Sequence, residues 1–185
     1  DFGLTEDGLQ YVVMALLKGR CLKKVMKEQP MAGQEAARIG AALARGLRHA
    51  HGNGLVHRDV KPTNVLLVED DDDIEQPLLL DFGLVKSSEA DLEMTGKSSY
   101  LGTPLYMSPE QVRRGGEVDH RTDIYALGCM LYGMVAGVMP YRADGALATA
   151  MMHIEEPYPL MAQKAPDRVV AEGLEAIVRR CMEKD

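Results

Sequence analysis

Hydrophobic and polar positions recur along the chain with different periods, and each period predicts an element. Tyr11 to Leu17 is a continuous apolar run that ends at Lys18 and Gly19, the pattern of a buried strand leaving into a connection. Leu22 to Met26 predicts a short helix, separated by Pro30 and Gly33 from a longer one. Between Gln34 and His51, the residues Ile39, Leu43, Leu47 and Ala50 recur at helical spacing and form one apolar face. Gly52, Asn53 and Gly54 end that helix, because both residue types tolerate the backbone turn that follows a helix C-terminus. Val65 to Val68 and Leu78 to Leu80 are two short strand candidates flanking an acidic run from Glu69 to Asp73. The aspartates lack the alternating spacing and late glutamate of a calcium loop, so they predict a solvated hairpin tip. From Gly83 to Pro109 there is little periodicity, and a connection of that kind is usually functional or mobile. Thr122 to Val138 predicts a helix that is apolar on most sides and therefore belongs inside the domain. Asp144 is placed to cap a helix running toward His153, Pro157, Pro159 and Pro166 mark an extended link, and Ala171 to Met182 predicts a last helix. No internal repeat and no second domain is visible.

Composition narrows the class. The 185 residues are 46% hydrophobic and 26% charged, with a formal net charge of -7. That is globular protein, long enough to bury a core without disulfide or metal staples. The acidic balance offers no electrostatic footprint for nucleic acid. No apolar run reaches the roughly 18 residues of a membrane span, and the opening residues lack a basic leader, so neither a membrane contact nor a signal peptide is expected in this segment. Cys21, Cys129 and Cys181 are scattered and form no Cys-x-x-Cys pair, which fits a reducing compartment.

The chemistry concentrates in His57-Arg58-Asp59-Val60-Lys61-Pro62-Thr63-Asn64, between a predicted helix and a predicted strand. Asp81-Phe82-Gly83 follows the second strand, then Gly102-Thr103-Pro104 through Ser108-Pro109-Glu110, then Asp123 at the head of the buried helix. Asp-Phe-Gly alone carries little information, since it also occurs at Asp1-Phe2-Gly3 with no such loop before it. The ordered set carries much more. Phosphoryl transfer concentrates negative charge and needs cations and aligned oxygens. Asp81 offers a hard anionic oxygen to Mg²⁺ and Asn64 a neutral one. Asp59 can orient a hydroxyl and accept its proton, and Lys61 can neutralise a migrating phosphate. An isolated aspartate beside a lysine is usually a surface pair, and only the motif order favours function here.

This set of motifs resembles the eukaryotic-type serine/threonine protein kinase family along the whole chain, with Lys61 in the style of the serine/threonine branch and Ser108 to Gly115 in the style of bacterial members. The resemblance implies an α+β, protein kinase-like fold, mainly the helical large lobe with a hinge strand and a short β-hairpin. It implies transfer of the ATP γ-phosphoryl group to protein hydroxyls, with ATP and Mg²⁺ as cofactors and protein substrates as partners. Asp59, Lys61, Asn64 and Asp81 take the catalytic positions, with Asn64 and Asp81 at the metal. Met14 (in the gatekeeper place), Ala15, Leu17, Cys21 and Leu66 take nucleotide-pocket positions beside Lys61, Asn64 and Asp81. Ala15 and Cys21 stand where relatives often carry polar residues, and the ribose contact at Cys21 departs from the pattern. His57 resembles the buried histidine that stacks on Phe82, Gly83 gives the backbone freedom to change direction, and Asp123 resembles the residue that holds the catalytic loop backbone. For Asp123 a simple helix cap is the competing reading. Thr103 resembles the hydroxyl that bridges Asp59 and Lys61. Glu110 resembles the acid that pairs with a later arginine, and Ser108 replaces the commoner alanine, a change expected to be tolerated.

The resemblance also implies, through Arg58 before Asp59, control by a phosphorylated loop, with Thr95, Ser98 and Ser99 as candidate acceptors and solvated loop hydroxyls as the competing reading. The glycine-rich loop, the lysine strand and the partner glutamate of the family's small lobe have no counterpart in this sequence. The expectation is therefore a partial kinase domain, with 1–17 as the end of the small lobe and hinge and 18–185 as a large lobe shortened at its C-terminus, and with little transfer activity by itself. A catalytically silent scaffold is the alternative function. The expected location is cytoplasmic, with a membrane tether elsewhere in the parent chain left open, as is the oligomeric state.

Overall fold

A computed structural model describes residues 2–69, 75–81, 104–113 and 118–184. Helix packing dominates it. Helix α2 (Gly33–Gly52) buries Ala36, Ile39, Leu43, Leu47 and Ala50 on one face and leaves its charged face in water. That face packs on α4 (Arg121–Ala136), where every residue from Tyr125 to Ala136 is buried. Full burial of each large apolar side chain stabilises the fold by about 1.5–3 kcal/mol, so the α2–α4 contact forms the centre of the core. Helix α1 (Leu22–Glu28) adds Leu22, and α7 (Glu172–Cys181) closes the other side of α4 with Leu174 and Val178.

The chain can turn sharply after α4 because Gly137 adopts a left-handed φ of 72° and donates its N–H to the Gly133 carbonyl. A Cβ there would also lie 2.6 Å from Pro30 Cγ. In the same region the Met31 N–H donates to the Met134 carbonyl at 2.7 Å.

Three strands carry the segment between α2 and the acidic run. β3 (Arg20–Cys21), β4 (Val65–Glu69) and β5 (Glu75–Leu79) form an antiparallel sheet in the order β3-β4-β5. Val65 pairs with Leu79 and Leu67 with Pro77. Pro77 is tolerated because β5 is an edge strand and owes no hydrogen bond on its outer side. The pairing brings the two ends of the sequence hairpin together; residues 70–74 of its tip lie outside the described residues.

Four expectations need correction. The buried strand over Tyr11 to Leu17 is instead β2 (Gln10–Val12), paired with β1 (Phe2–Leu4), and Val13 to Gly19 has no strand structure. Phe2, Val12, Met14 and Leu16 are exposed, Leu16 at 95%. Apolar content cannot distinguish a covered strand from an uncovered one, and a two-stranded hairpin has no second layer of its own. Leu80 falls outside β5. The helix α5 (Ala146–Glu155) is preceded by Gly145, at φ 121°, and not capped by Asp144. Thr149 instead ties the preceding loop to the helix: its Oγ1 donates to the Gly145 carbonyl at 2.9 Å and accepts from the Ala143 N–H at 3.1 Å. Finally, α6 (Met161–Lys164) interrupts the proline-marked link. Its first N–H finds an acceptor in Glu175 Oε1 of α7, at 2.7 Å, a cap that no local pattern announces.

Below α4, His153 of α5 is fully buried, hydrogen-bonded through Nδ1 to Tyr125 Oη at 2.9 Å and packed edge-on against Tyr141. Burial, followed by the charge of Lys184, lowers its pKa from 6.5 to about 4. A depressed histidine pKa means the unfolded chain binds the proton first, so its contribution is present above pH 6.5 and lost as pH falls toward 4. Thermal denaturation should therefore show Tm falling between pH 6.5 and pH 5, and His153→Gln should flatten that decline. Gly137→Ala should destabilise the protein by about 1–3 kcal/mol in urea denaturation, through both the left-handed backbone and the contact with Pro30.

Candidate active site

The loop from His57 to Asn64 leaves α2, passes under the three-stranded sheet and enters β4 through a 3-10 turn at Pro62–Asn64. Its geometry is set from below by Asp123, in the first turn of α4 and 1% exposed. Asp123 Oδ1 accepts the Arg58 N–H at 2.7 Å, and Oδ2 accepts the His57 N–H at 2.8 Å. His51 Nε2, at the end of α2, lies 2.8 Å from the same Oδ2. All three partners lie outside α4, so the helix-cap reading of Asp123 does not describe this geometry. Arg58 sits at φ 64°, an uncommon conformation for a residue with a side chain, and the two bonds to consecutive backbone N–H groups hold the chain there.

His57 is fully buried. Its Nδ1 accepts the Asp59 N–H at 3.2 Å, which leaves Nε2 to carry the proton and donate to the Leu80 carbonyl at 2.9 Å. The Leu80 N–H in turn donates to the Asn64 carbonyl at 2.8 Å. These two bonds fasten the residue before Asp81 to the loop. Asp81 itself is exposed, with a left-handed φ of 57°. Phe82, the expected stacking partner of His57, and Gly83 lie outside the described residues, as do Thr95, Ser98, Ser99 and Thr103.

Asp59 presents its carboxylate to solvent in a fixed orientation. Lys61 Nζ donates to Oδ2 at 2.7 Å, and Asn64 Nδ2 donates to the same oxygen at 3.2 Å and to the Asp59 carbonyl at 2.9 Å. Among the described residues Oδ1 has no partner, so one oxygen is anchored and the other is open to accept a proton. With its amide nitrogen committed to Asp59, Asn64 keeps Oδ1 as a free-facing acceptor apart from a long 3.4 Å contact from the Thr63 hydroxyl.

Asn64 Oδ1 and the Asp81 carboxylate are hard oxygens of the kind Mg²⁺ takes. Among the described residues no group of three or more His, Cys, Asp or Glu forms a closed metal cage. One anionic and one neutral oxygen suit an ion that keeps waters and arrives with a phosphate ligand. Of the expected nucleotide-pocket residues, Cys21 and Leu66 are paired across β3 and β4, and the Cys21 thiol lies 3.5 Å from the Pro62 carbonyl. Met14, Ala15 and Leu17 lie exposed on the segment between β2 and β3.

The segment after Tyr106 is tied to the same frame. Ser108 is fully buried and starts α3 (Pro109–Val112) with a capping box, in which its N–H donates to Gln111 Oε1 and its Oγ accepts the Gln111 N–H. Ser108 Oγ also lies 2.6 Å from Thr122 Oγ1, beside Asp123. Gln111 Nε2 donates to the Arg58 carbonyl at 2.9 Å. Glu110 forms no salt bridge among the described residues. Sequence reasoning passed over His51, Ser108 and Gln111 as participants. The Ser-x-x-Gln spacing before a helix is a readable capping-box signal, whereas the reach of His51 to Asp123 has no local signature.

The protein kinase domain family matches residues 4–185. Serine/threonine-protein kinase pkn3 of Myxococcus xanthus is 34% identical over 189 residues, which cover 100% of this chain and 34% of that protein. The DNA damage-responsive serine/threonine-protein kinase RqkA of Deinococcus radiodurans is 40% identical over 156 residues, covering 83% of this chain and 23% of that protein. PknB of Mycobacterium tuberculosis is 32% identical over 180 residues, covering 96% and 28%. The chain thus spans about a third or less of the length of these relatives. The structure of Rad53 1-466 in complex with AMP-PNP superimposes with a TM-score of 0.79 at 21% identity, covering 100% of this chain and 44% of that one, which shows a shared fold.

Asp123→Ala should remove the acceptor of the buried His57 N–H, of the part-buried Arg58 N–H and of His51, at a cost of about 3 kcal/mol in equilibrium unfolding. Hydrogen exchange at His57 and Arg58 should rise in the same variant.

Proposed function

Because the chain belongs to the protein kinase domain family, we propose that it carries the catalytic loop of a serine/threonine protein kinase, transferring the γ-phosphoryl group of ATP to a serine or threonine hydroxyl of a protein substrate. The observation that carries this reading is the Asp59 carboxylate, anchored through Oδ2 by Lys61 and Asn64 and, among the described residues, open at Oδ1.

In this reading the substrate hydroxyl donates its hydrogen bond to Asp59 Oδ1, which aligns the oxygen for in-line attack. The bond between that oxygen and the γ-phosphorus forms as the bond from phosphorus to the bridging oxygen of ADP breaks. The hydroxyl proton passes to Asp59 late in the transfer. Lys61, already fixed against Asp59, supplies a positive charge beside the migrating group, and Asn64 holds Asp59 in orientation while keeping an oxygen for the ion. Asn64 Oδ1 and Asp81 would hold Mg²⁺, which when bound neutralises phosphate charge. Cys21 and Leu66 would form one wall of the nucleotide pocket, with Met14, Ala15 and Leu17 lining the connecting segment. Arg58 and the hydroxyls Thr95, Ser98 and Ser99 would couple activity to phosphorylation. Among the described residues no helix is long and apolar enough to cross a membrane. In this reading the transfer takes place in the cytoplasm, where ATP is supplied, whether or not the parent protein is tethered to a membrane.

The test is Mg-ATP-dependent label transfer to a generic Ser/Thr peptide by the full-length protein beside Asp59→Asn. Transfer should fall by at least about a hundredfold in the variant at unchanged Tm. Equal transfer by both proteins would refute the assignment of Asp59.

A further inference from the structure

Gln111 makes contacts that its place in a short surface helix does not require. Its side-chain amide is oriented by two partners at once: the Ser108 N–H needs an oxygen, and the Arg58 carbonyl needs a donor. Only one arrangement of the amide satisfies both, with Oε1 on Ser108 at 3.1 Å and Nε2 on Arg58 at 2.9 Å. The result is a closed ring of hydrogen bonds. Arg58 N–H reaches Asp123, the neighbouring Thr122 hydroxyl meets Ser108 Oγ, Ser108 N–H reaches Gln111, and Gln111 returns to the Arg58 carbonyl. The ring spans three separate parts of the chain: the loop of Asp59, the head of α4 and the start of α3.

Arg58 is the point where the ring closes. It holds a left-handed φ of 64°, its N–H is taken by Asp123 at 2.7 Å, and its carbonyl belongs to the peptide unit whose N–H is that of Asp59. The Asp59 N–H in turn is taken by His57 Nδ1 at 3.2 Å. Gln111 and His57 therefore hold the two polar ends of the peptide from which the Asp59 side chain departs, Gln111 at its carbonyl and His57 at its N–H. Loss of the Gln111 bond leaves one of the two restraints, and a rotation of that plane would swing the Asp59 carboxylate relative to Lys61 and Asn64.

We propose that Gln111 is a positioning residue for Asp59, acting through the Arg58 carbonyl, and that Ser108 orients it for that task. The inference rests on the kinase reading of Asp59 for its catalytic consequence, while the bridge itself is a matter of geometry.

The discriminating variant is Gln111→Glu in the full-length protein. A carboxylate still accepts from the Ser108 N–H, so the capping box survives, but it cannot donate to the Arg58 carbonyl and sets an oxygen against it. Two readouts are needed: the single-turnover rate of phosphoryl transfer at saturating Mg-ATP and peptide, and hydrogen exchange of the peptide covering residues 57–61. The expected result is a Tm within a degree or two of wild type, exchange at 57–61 raised severalfold, a transfer rate lowered by about tenfold, and KM values for ATP and peptide within about twofold. Gln111→Met, which loses both side-chain bonds, should lower the rate similarly and lower Tm as well, because the Ser108 N–H loses its acceptor although Ser108 Oγ still accepts the residue-111 N–H. Unchanged exchange at 57–61 in Gln111→Glu would overturn the bridge. Raised exchange with an unchanged single-turnover rate would overturn its role in positioning Asp59. If the wild type itself shows no transfer that Asp59→Asn abolishes, the kinase reading fails, and the exchange readout still decides the bridge.

Discussion

The structure depends on one buried carboxylate. Asp123 sits in the first turn of a helix that the core surrounds, and a carboxylate there is tolerable only if its oxygens are occupied. Two of its three donors are consecutive backbone N–H groups of a loop far away in sequence, at 2.7 and 2.8 Å. The requirement is mutual. The loop supplies the donors that the carboxylate needs, and the carboxylate holds Arg58 in a conformation that a side-chain-bearing residue adopts at a cost. Each half stabilises the other, and this coupling makes a packing element the base of the Asp59 loop.

The stiffness of α4 makes the coupling useful. Its apolar residues are buried from Tyr125 to Ala136, pressed by α2 on one side and α7 on the other. A carboxylate fixed to such an element cannot follow the loop if the loop moves; the loop must conform to it. Above this base, His57 joins the loop to Leu80, and Asn64 joins it back to the same strand end. Asp59 and Asp81 thus belong to two segments tied to each other by two hydrogen bonds and to the core by Asp123. The side chains of Asp59 and Asp81 reach solvent, while the backbones that carry them are held through the buried His57 and Asp123, which is the arrangement the proposed function requires.

Much of this was legible in the order of residues. The long amphipathic helix, the buried helix and the terminal helix follow from apolar spacing, since burial of a face is a local pattern repeated along an element. The hairpin of β4 and β5 was also visible, because short apolar runs flanked an acidic turn. The first strand was not. Tyr11 to Leu17 has the apolar content of a core strand, yet Leu16 is 95% exposed, because apolar content states a demand for cover and says nothing of what supplies it. The helix at Met161 was hidden for the opposite reason: its cap is Glu175, from another element.

By itself the sequence determined the elements with strong periods and the identity of the loop residues, because both are written in neighbouring positions. Tertiary structure alone decided where the donors go: His51 to Asp123, Leu80 to Asn64, Ser108 to Thr122, and Gln111 to the Arg58 carbonyl. A hydrogen bond depends on placing two groups within about 3 Å at the right angle. Residues distant in sequence reach that placement only after the helices have packed, so the chain order names the groups and the packed core chooses their partners.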